Sequence, residues 1–144
     1  MITTNSFCTF HLDHLYLGIE VFKVQEVIRF QQMTRVPLAK DGVRGLMNLR
    51  GQIVTALDLR QKFGMEDPDE NYEPMNVVVR TDDGSVSLLV DRIGDVVATD
   101  ADQFEPPPDT LRGVPRELVR GAFKLEKGLL LILDIDRVIE PVVA

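Results

Sequence analysis

The sequence is poor in the residues that carry cross-links, metals or membrane spans. It has 144 residues, with one cysteine, Cys8, no tryptophan and two histidines. A single cysteine cannot form an internal disulfide, which fits a reducing compartment such as the cytoplasm. The longest apolar run, LLLIL at 129–133, is far shorter than the ~20 residues that span a bilayer. The first residues, MITTNSF, lack the basic and apolar regions of a signal peptide. We therefore expect a cytoplasmic protein without direct membrane insertion.

Candidate catalytic and metal-binding residues are equally sparse. His11, Asp13 and His14 lie close together, but strand and turn positions point the two histidines in different directions, and no third group of ligands stands out. A lone cysteine on a predicted strand, as Cys8 is, is more often a small core residue than a nucleophile. The sequence shows no nucleophile elbow and no glycine-rich phosphate loop. We predict neither an enzyme nor a metal or cofactor site.

The charge is negative and unevenly distributed. The formal net charge is −7, which disfavours nucleic-acid binding because that usually needs a basic face. Residues 1–65 carry eight Lys+Arg and five Asp+Glu, a net +3, whereas residues 66–144 carry eight and eighteen, a net −10. Two interpretations stay open: well-solvated later loops, or a polarised surface that orients protein partners.

Alternation of apolar and polar residues predicts a chain made mostly of strands. The predicted strands are 7–12, 15–19, 46–49, 52–59, 76–80, 85–90, 91–99, 118–125 and 129–135. Residues 21–30 predict one or two helical turns and then a short strand, and short helical turns are expected at 59–64 and 134–139. With about eight to ten strands, no long helix and no visible internal repeat, the pattern indicates an all-β barrel or sandwich.

Two charged residues are embedded in apolar segments. Glu26 lies within VFKVQEVI, and Arg50 lies between two predicted strands in NLRG, where Gly51 permits a tight hairpin turn. A partly buried charge is costly unless it is paired, so we predict that Glu26 and Arg50 form an ion pair. The pair can hold the shape of the fold, border a protein interface, or do both. Asp58 and Arg60, at a strand-to-turn junction, are expected to be structural.

Four segments resemble a known family, the CheW-type chemotaxis coupling proteins. In chain order they are FHLDHLYLGIEVFKVQEVI (10–28), VRGLMNLRGQIVTALDLRQKFG (43–64), SLLVDRIGDVV (87–97) and GAFKLEKGLLLILDIDRVI (121–139). GLMNLRGQIVTALDLR is the most specific of them, and together they span nearly the whole chain.

The resemblance implies a fold and a function. The implied fold is all-β, with two intertwined SH3-like five-stranded β-barrels and a few short helical turns in one domain over 7–141, flanked by short termini at 1–6 and 142–144. The implied function is that of a non-catalytic adaptor without a cofactor. It would couple the cytoplasmic tips of chemoreceptors (methyl-accepting chemotaxis proteins) to the regulatory domain of a CheA-type histidine kinase, and would be recruited to membrane-associated receptor arrays.

The resemblance also implies interface residues for the kinase and the receptor. Glu26 and Arg50 match the family's sensitive acidic and basic positions, and Asn48 lies beside Arg50 in the same motif. The candidate groove-facing apolar residues are Val24, Val27, Leu88, Val90 and Ile93.

Two alternatives remain open from the sequence. One is an adaptor of the same type in a non-flagellar pathway, such as twitching or development. The more remote one is a β-barrel that binds a peptide or a small ligand, for which a deep polar pocket with convergent acids and bases would be expected.

Overall fold

The described residues of the chain form ten strands and two short α-helices. The computed structural model describes residues 4–37, 42–69, 71–109 and 113–143, with side chains described from 6 to 139 within those ranges. The strands are β1 (Thr4–Leu12), β2 (Leu15–Glu20), β3 (Val24–Ile28), β4 (Val43–Leu49), β5 (Gln52–Asp58), β6 (Met75–Thr81), β7 (Gly84–Val90), β8 (Arg92–Asp100), β9 (Val119–Leu125) and β10 (Gly128–Leu133). The helices are α1 (Leu59–Lys62) and α2 (Ile135–Val143), and a 3₁₀ turn (Val21–Lys23) connects β2 to β3.

The strands form two five-stranded sheets that exchange segments. The terminal sheet has the order β8-β1-β2-β10-β9, and the middle sheet has the order β3-β6-β7-β5-β4. Each sheet is antiparallel except for one central parallel pair, β2 with β10 and β5 with β7. The all-β prediction of two five-stranded, intertwined units is confirmed.

Each sheet has buried residues on both of its faces. A main core, shared by the two sheets and α2, includes Phe10, Leu17, Leu57, Val77, Leu88, Leu131 and Val138. The terminal sheet has a second cluster of Phe7, Tyr16, Phe123, Leu130 and Ile132, and the middle sheet has one of Met47, Leu49, Val54 and Val78. A sheet with a shared core on one face and a small core of its own on the other follows from curling, as in SH3-like barrels.

The structure reveals an internal repeat that the sequence does not show. The first half of the chain places the hairpin β1–β2 in the terminal sheet and then adds β3 and the hairpin β4–β5 to the middle sheet, followed by α1. The second half places β6–β7 in the middle sheet and then supplies β8, β9–β10 and α2 to the terminal sheet. Isolated bridges recur at matching points, Thr34 with Leu46 and Glu105 with Ala122. The expectation of no repeat is therefore corrected: the two halves share topology while their side chains differ.

Turns and caps follow from local sequence. Arg50 and Gly51 both have positive φ, 52° and 88°, as a two-residue hairpin turn of the mirror type requires. Asp58 begins α1 by accepting a hydrogen bond from the backbone N–H of Gln61 at 3.3 Å, and Asp134 does the same for Arg137 before α2. These N-caps satisfy backbone donors that a helix start leaves unpaired.

Helix α2 is longer than predicted. The sequence predicts a turn over 134–139, whereas the helix runs from Ile135 to Val143. Pro141 suggests an earlier end because proline lacks the N–H that an interior helical position donates, but the helix continues past it. No helix among the described residues has the length and apolar character needed to cross a membrane.

Candidate functional site

The ion pair between Glu26 and Arg50 joins the two edges of the middle sheet. Glu26 lies on edge strand β3, and Arg50 lies at the tip of the β4–β5 hairpin on the opposite edge. The Arg50 guanidinium donates to the Glu26 carboxylate. The Glu26 side chain is 21% exposed, whereas the Arg50 side chain is 71% exposed. The predicted pair is confirmed, and its cation presents most of its surface to solvent.

An equivalent ion pair joins the two edges of the terminal sheet. Asp95 on edge strand β8 meets Lys127, in the turn of the β9–β10 hairpin, at 3.2 Å. Both of these side chains are exposed, so the pair contributes little to stability. The two pairs have matching places in the repeat, but of these two only the Glu26–Arg50 pair combines a mostly buried carboxylate with an exposed cation.

Residues next to Arg50 extend the pair into a surface. Asn48 is exposed, and its side-chain oxygen accepts a hydrogen bond from the backbone N–H of Gly51 at 2.8 Å, which stabilises the turn. Ile53 lies directly across from Asn48 in the hairpin and is 62% exposed. We call Glu26, Asn48, Arg50 and Ile53 the hairpin patch. Sequence reasoning missed Ile53, although the alternation in QIVTALDL places its side chain on the face of the strand opposite to that of buried Val54.

The predicted groove residues divide between surface and core. Val24 and Ile93 are half-buried at the border of the main core, and Val27 is 38% exposed. Leu88 and Val90 are fully buried in the main core, so their placement on a groove is corrected. The physical reason is that β7 lies at the centre of its sheet, between β5 and β6, where both faces are covered.

The edge strands carry apolar residues that the sequence analysis missed. Val21, which precedes β3, is 38% exposed, and Val96 on β8 is 63% exposed. Together with Val24, Val27 and Ile93 they form a set that we call the edge valines and isoleucine. All five lie on, or one turn before, an edge strand of one of the two sheets.

The division between core and surface predicts a difference in stability. Leu88→Ala is expected to lower the free energy of unfolding by about 2–5 kcal/mol, because it leaves a cavity in a packed core. Val96→Ala is expected to change it by at most about 0.5 kcal/mol. Urea unfolding of the two variants checks this, and similar losses in both would contradict the assignment of Leu88 to the core.

Asp58 has a structural role that involves more than capping. Its buried carboxylate accepts a hydrogen bond from Arg44 at 2.7 Å, and Arg44 also contacts Asp67 at 3.0 Å. Burial raises the pKa of Asp58, and the hydrogen bond from Gln61 and the charge of Arg44 only partly offset that effect. Asp58 therefore anchors β4 and α1 together.

Arg60 belongs to a buried network centred on Asp91. Its Nε and Nη2 atoms donate to the two oxygens of Asp91 at 2.8 and 2.6 Å. The hydroxyl of Tyr72 donates to the same carboxylate, and the Arg60 guanidinium lies over the Tyr72 ring at 5.4 Å. Burial alone would raise the pKa of Asp91, but hydrogen bonds from Arg60 and Tyr72 outweigh burial and hold that pKa below its usual value. The structural role predicted for Arg60 is confirmed.

The remaining described histidine and cysteine side chains lie in structural surroundings. His11 stacks on Tyr16, and desolvation together with Arg92 and Lys127 lowers its pKa. Burial raises the pKa of the Cys8 thiol, which disfavours the thiolate. Within the described ranges, no three His, Cys, Asp or Glu side chains are placed to hold a metal ion.

A cavity of about 790 Å³ is open to solvent rather than enclosed. It lies between the 3₁₀ turn, the β6–β7 turn and α2, with Phe22, Arg80, Ile135 and Ile139 among its lining residues. Phe22 is 73% exposed, and Arg80 donates to backbone carbonyls rather than facing an acid–base partner. The lining also includes the charged residues Lys23, Asp82, Asp83, Asp136 and Arg137, but the cavity is open to solvent rather than a deep polar pocket.

Comparison with known proteins gives a consistent answer. The profile of the CheW-like domain matches residues 6–142. The chain is 31% identical to the chemotaxis protein CheW of Klebsiella aerogenes, over 92% of this chain and 80% of that protein. It is 29% identical to the chemotaxis protein CheW of Thermotoga maritima, over 93% and 87% of the two chains. The fold is similar to the crystal structure of the scaffolding protein TtCheW from Thermoanaerobacter tengcongensis, with a TM-score of 0.82 and 24% identity over 94% of this chain and 87% of that one.

Proposed function

The chain belongs to the CheW-like domain family of chemotaxis coupling proteins, which are non-catalytic scaffolds, and from that premise we propose which surfaces it uses. One surface holds a CheA-type histidine kinase, and another holds the cytoplasmic tip of a chemoreceptor. Through the receptor, the protein is recruited to arrays at the membrane.

The hairpin patch is the proposed kinase surface. Arginine beside an exposed apolar side chain is a common composition for the centre of a protein interface, because the planar guanidinium can hold a carboxylate while its neighbours exclude water. Arg50 and Ile53 supply this combination at the end of the middle sheet. Glu26 fixes the arginine in place before the partner arrives, which lowers the entropic cost of binding.

The edge valines and isoleucine form the proposed receptor surface. They are apolar, partly or largely exposed, and carried by edge strands or the turn before β3. Exposed apolar residues on edge strands suit the apolar face of a helix, such as those in a receptor's helical hairpin. Exposed valines that bind a partner would be buried in the assembled array, which accounts for their retention on a surface.

One observation carries this proposal: Arg50 is held by a mostly buried carboxylate and yet presents most of its own surface to solvent. The paired carboxylate fixes the position of the guanidinium, and exposure keeps it accessible to a carboxylate of a partner. Placing such a pair beside Ile53 creates a charged and apolar surface with a fixed geometry.

Co-sedimentation tests the proposal. We expect the chain to pellet with assembled receptor cytoplasmic fragments, and a CheA-type kinase to pellet in larger amounts when the chain is present. A Val96→Asp variant should fail to pellet with receptor while still binding kinase, because only the receptor surface gains a charge. A wild-type chain that stays in the supernatant with either partner would contradict the assignment. The kinase recovered in a pull-down from the native source identifies the pathway output, swimming or another response.

A further inference from the structure

We propose that Asp91 is a positioning residue for coupling: it fixes β8, the strand that carries Ile93 and Val96 of the receptor surface, to the hairpin that carries the kinase surface. This inference rests on the proposed function, since it concerns communication between the two surfaces. Asp91 itself lies outside the hairpin patch and outside the edge valines and isoleucine.

The chain crosses from one sheet to the other at Asp91. It is the single residue between β7 of the middle sheet and β8 of the terminal sheet. Its backbone N–H donates to the carbonyl of His11 at 3.0 Å, and its carboxylate accepts the backbone N–H of Asp13 at 2.7 Å. The start of β8 is therefore fastened to the β1–β2 hairpin of the terminal sheet.

The same carboxylate is fastened to the middle sheet. Arg60 lies on α1, which follows β5 without a break, and so it continues the hairpin whose tip is Arg50. Its two bonds to Asp91 form a bidentate pair, the most directional kind of ion pair. A third bond, from Arg60 Nη1 to the carbonyl of Glu66 at 2.7 Å, and the hydroxyl of Tyr72 attach the segment that leads into β6.

Burial makes this junction stiff. The side chains of Arg60 and Asp91 are 8% and 14% exposed, so water cannot easily replace either partner. A displacement of β8 by a bound receptor must either carry α1 with it or break the pair. A packed network with discrete arrangements can transmit such a shift, whereas a solvated pair yields to it.

At the other crossing, the described side chains form no bidentate ion pair between the two sheets. Glu20 ends β2 where the chain leaves the terminal sheet, and it contacts Lys23 and Arg120 at 3.0 Å each. Arg120 lies on β9 of the same sheet as Glu20, and its side chain is 48% exposed. These ion pairs hold the start of the crossing to its own sheet, and Arg80 on β6 fastens its end to the middle sheet through the carbonyls of Phe22 and Val24. Both crossings therefore join the two sheets, and the link from β8, with Ile93 and Val96, to α1 runs through Asp91.

The test separates binding from control. The full chain is reconstituted with receptor cytoplasmic fragments and a CheA-type kinase, and kinase autophosphorylation is measured with and without receptor. For Asp91→Asn we expect affinities for each isolated partner within about twofold of wild type, because coupling and binding are separate free energies. Receptor control, the change in kinase autophosphorylation that the receptor causes, should fall by at least about fivefold. Asp95→Asn, on the same strand but in the exposed pair, is the matched control and should keep full control.

A second variant keeps the proposal falsifiable if Asp91→Asn folds poorly. Tyr72→Phe removes one hydroxyl from the network and nothing from either surface, and it should reduce receptor control in the same direction. Full receptor control in a folded Asp91→Asn or Tyr72→Phe chain would overturn the proposal. So would affinities for both partners that fall in proportion to stability, since that result indicates a structural role alone. Wild-type chain that binds neither partner would instead refute the proposed function.

Discussion

Arg50→Ala is expected to weaken binding to the kinase or the receptor by about 1–3 kcal/mol, the usual cost of leaving a carboxylate without its partner. That range corresponds to about a 5- to 150-fold rise in Kd. The physical reason is that a carboxylate of the partner loses the exposed guanidinium, which Glu26 holds in place in the wild type. Titration calorimetry against each partner separately measures the effect and identifies which surface Arg50 serves; we expect the kinase.

The matched control is Lys127→Ala in the equivalent turn of the other hairpin. Its pair with Asp95 is exposed on both sides, so the variant removes a comparable charge without touching the hairpin patch. We expect its affinity for kinase to stay near that of wild type. Unchanged affinity of Arg50→Ala for both partners would remove Arg50 from the interface, and equal losses in the two variants would point to net charge rather than to the patch.

Local rules account for the parts of the site that could be predicted. Gly51 after Arg50 indicates a tight turn, and alternation on either side indicates the two strands of the hairpin. The cost of a partly buried charge then selects Glu26 as the partner of Arg50. Each step uses only neighbouring residues or a strong energetic constraint.

Burial on both faces of the sheets accounts for the error at Leu88 and Val90. Alternation separates core from surface only where one face of a sheet meets water. In β7 the residues on both faces are buried, from Val86 to Val90, so the apolar run SLLV cannot reveal which side chains reach a groove. Edge strands keep one exposed row, and the exposed Val96 and Val27 lie on such strands.

Long-range pairing accounts for the network that the sequence left incomplete. Arg60 could be assigned a structural role from its place at a strand-to-turn junction. Its partner Asp91 lies in another segment, at a crossing between sheets that only the topology reveals. Tyr72 joins from the acidic loop, where nothing local distinguishes it from a solvated residue.

Asp91→Ala is expected to lower the free energy of unfolding by about 3–5 kcal/mol, because it leaves the buried Arg60 guanidinium without its carboxylate. Asp95→Ala, on the same strand, should cost about 0–1 kcal/mol, since its pair is exposed. Urea unfolding at neutral pH measures both. Asp91→Ala should lose more unfolding free energy than Asp91→Asn, because the amide oxygen of asparagine can still accept a hydrogen bond from Arg60. Losses of similar size at Asp91 and Asp95 would contradict a buried, coupled network.

The pH dependence gives this prediction a definite sign. The pKa of Asp91 is lower in the folded chain than its ordinary value of about 3.9, so its contribution is complete above the unfolded pKa and is lost as pH falls through the folded one. The stability gap between wild type and Asp91→Ala should therefore narrow as pH falls below about 4. Asp58, whose pKa burial raises, provides the opposite case: acidification should stabilise wild type relative to Asp58→Asn. The contributions of the two carboxylates to stability therefore change with pH in opposite directions. If the stability difference between wild type and Asp91→Ala stays constant or widens in acid, then Arg60 and Tyr72 do not favour the charged form of Asp91.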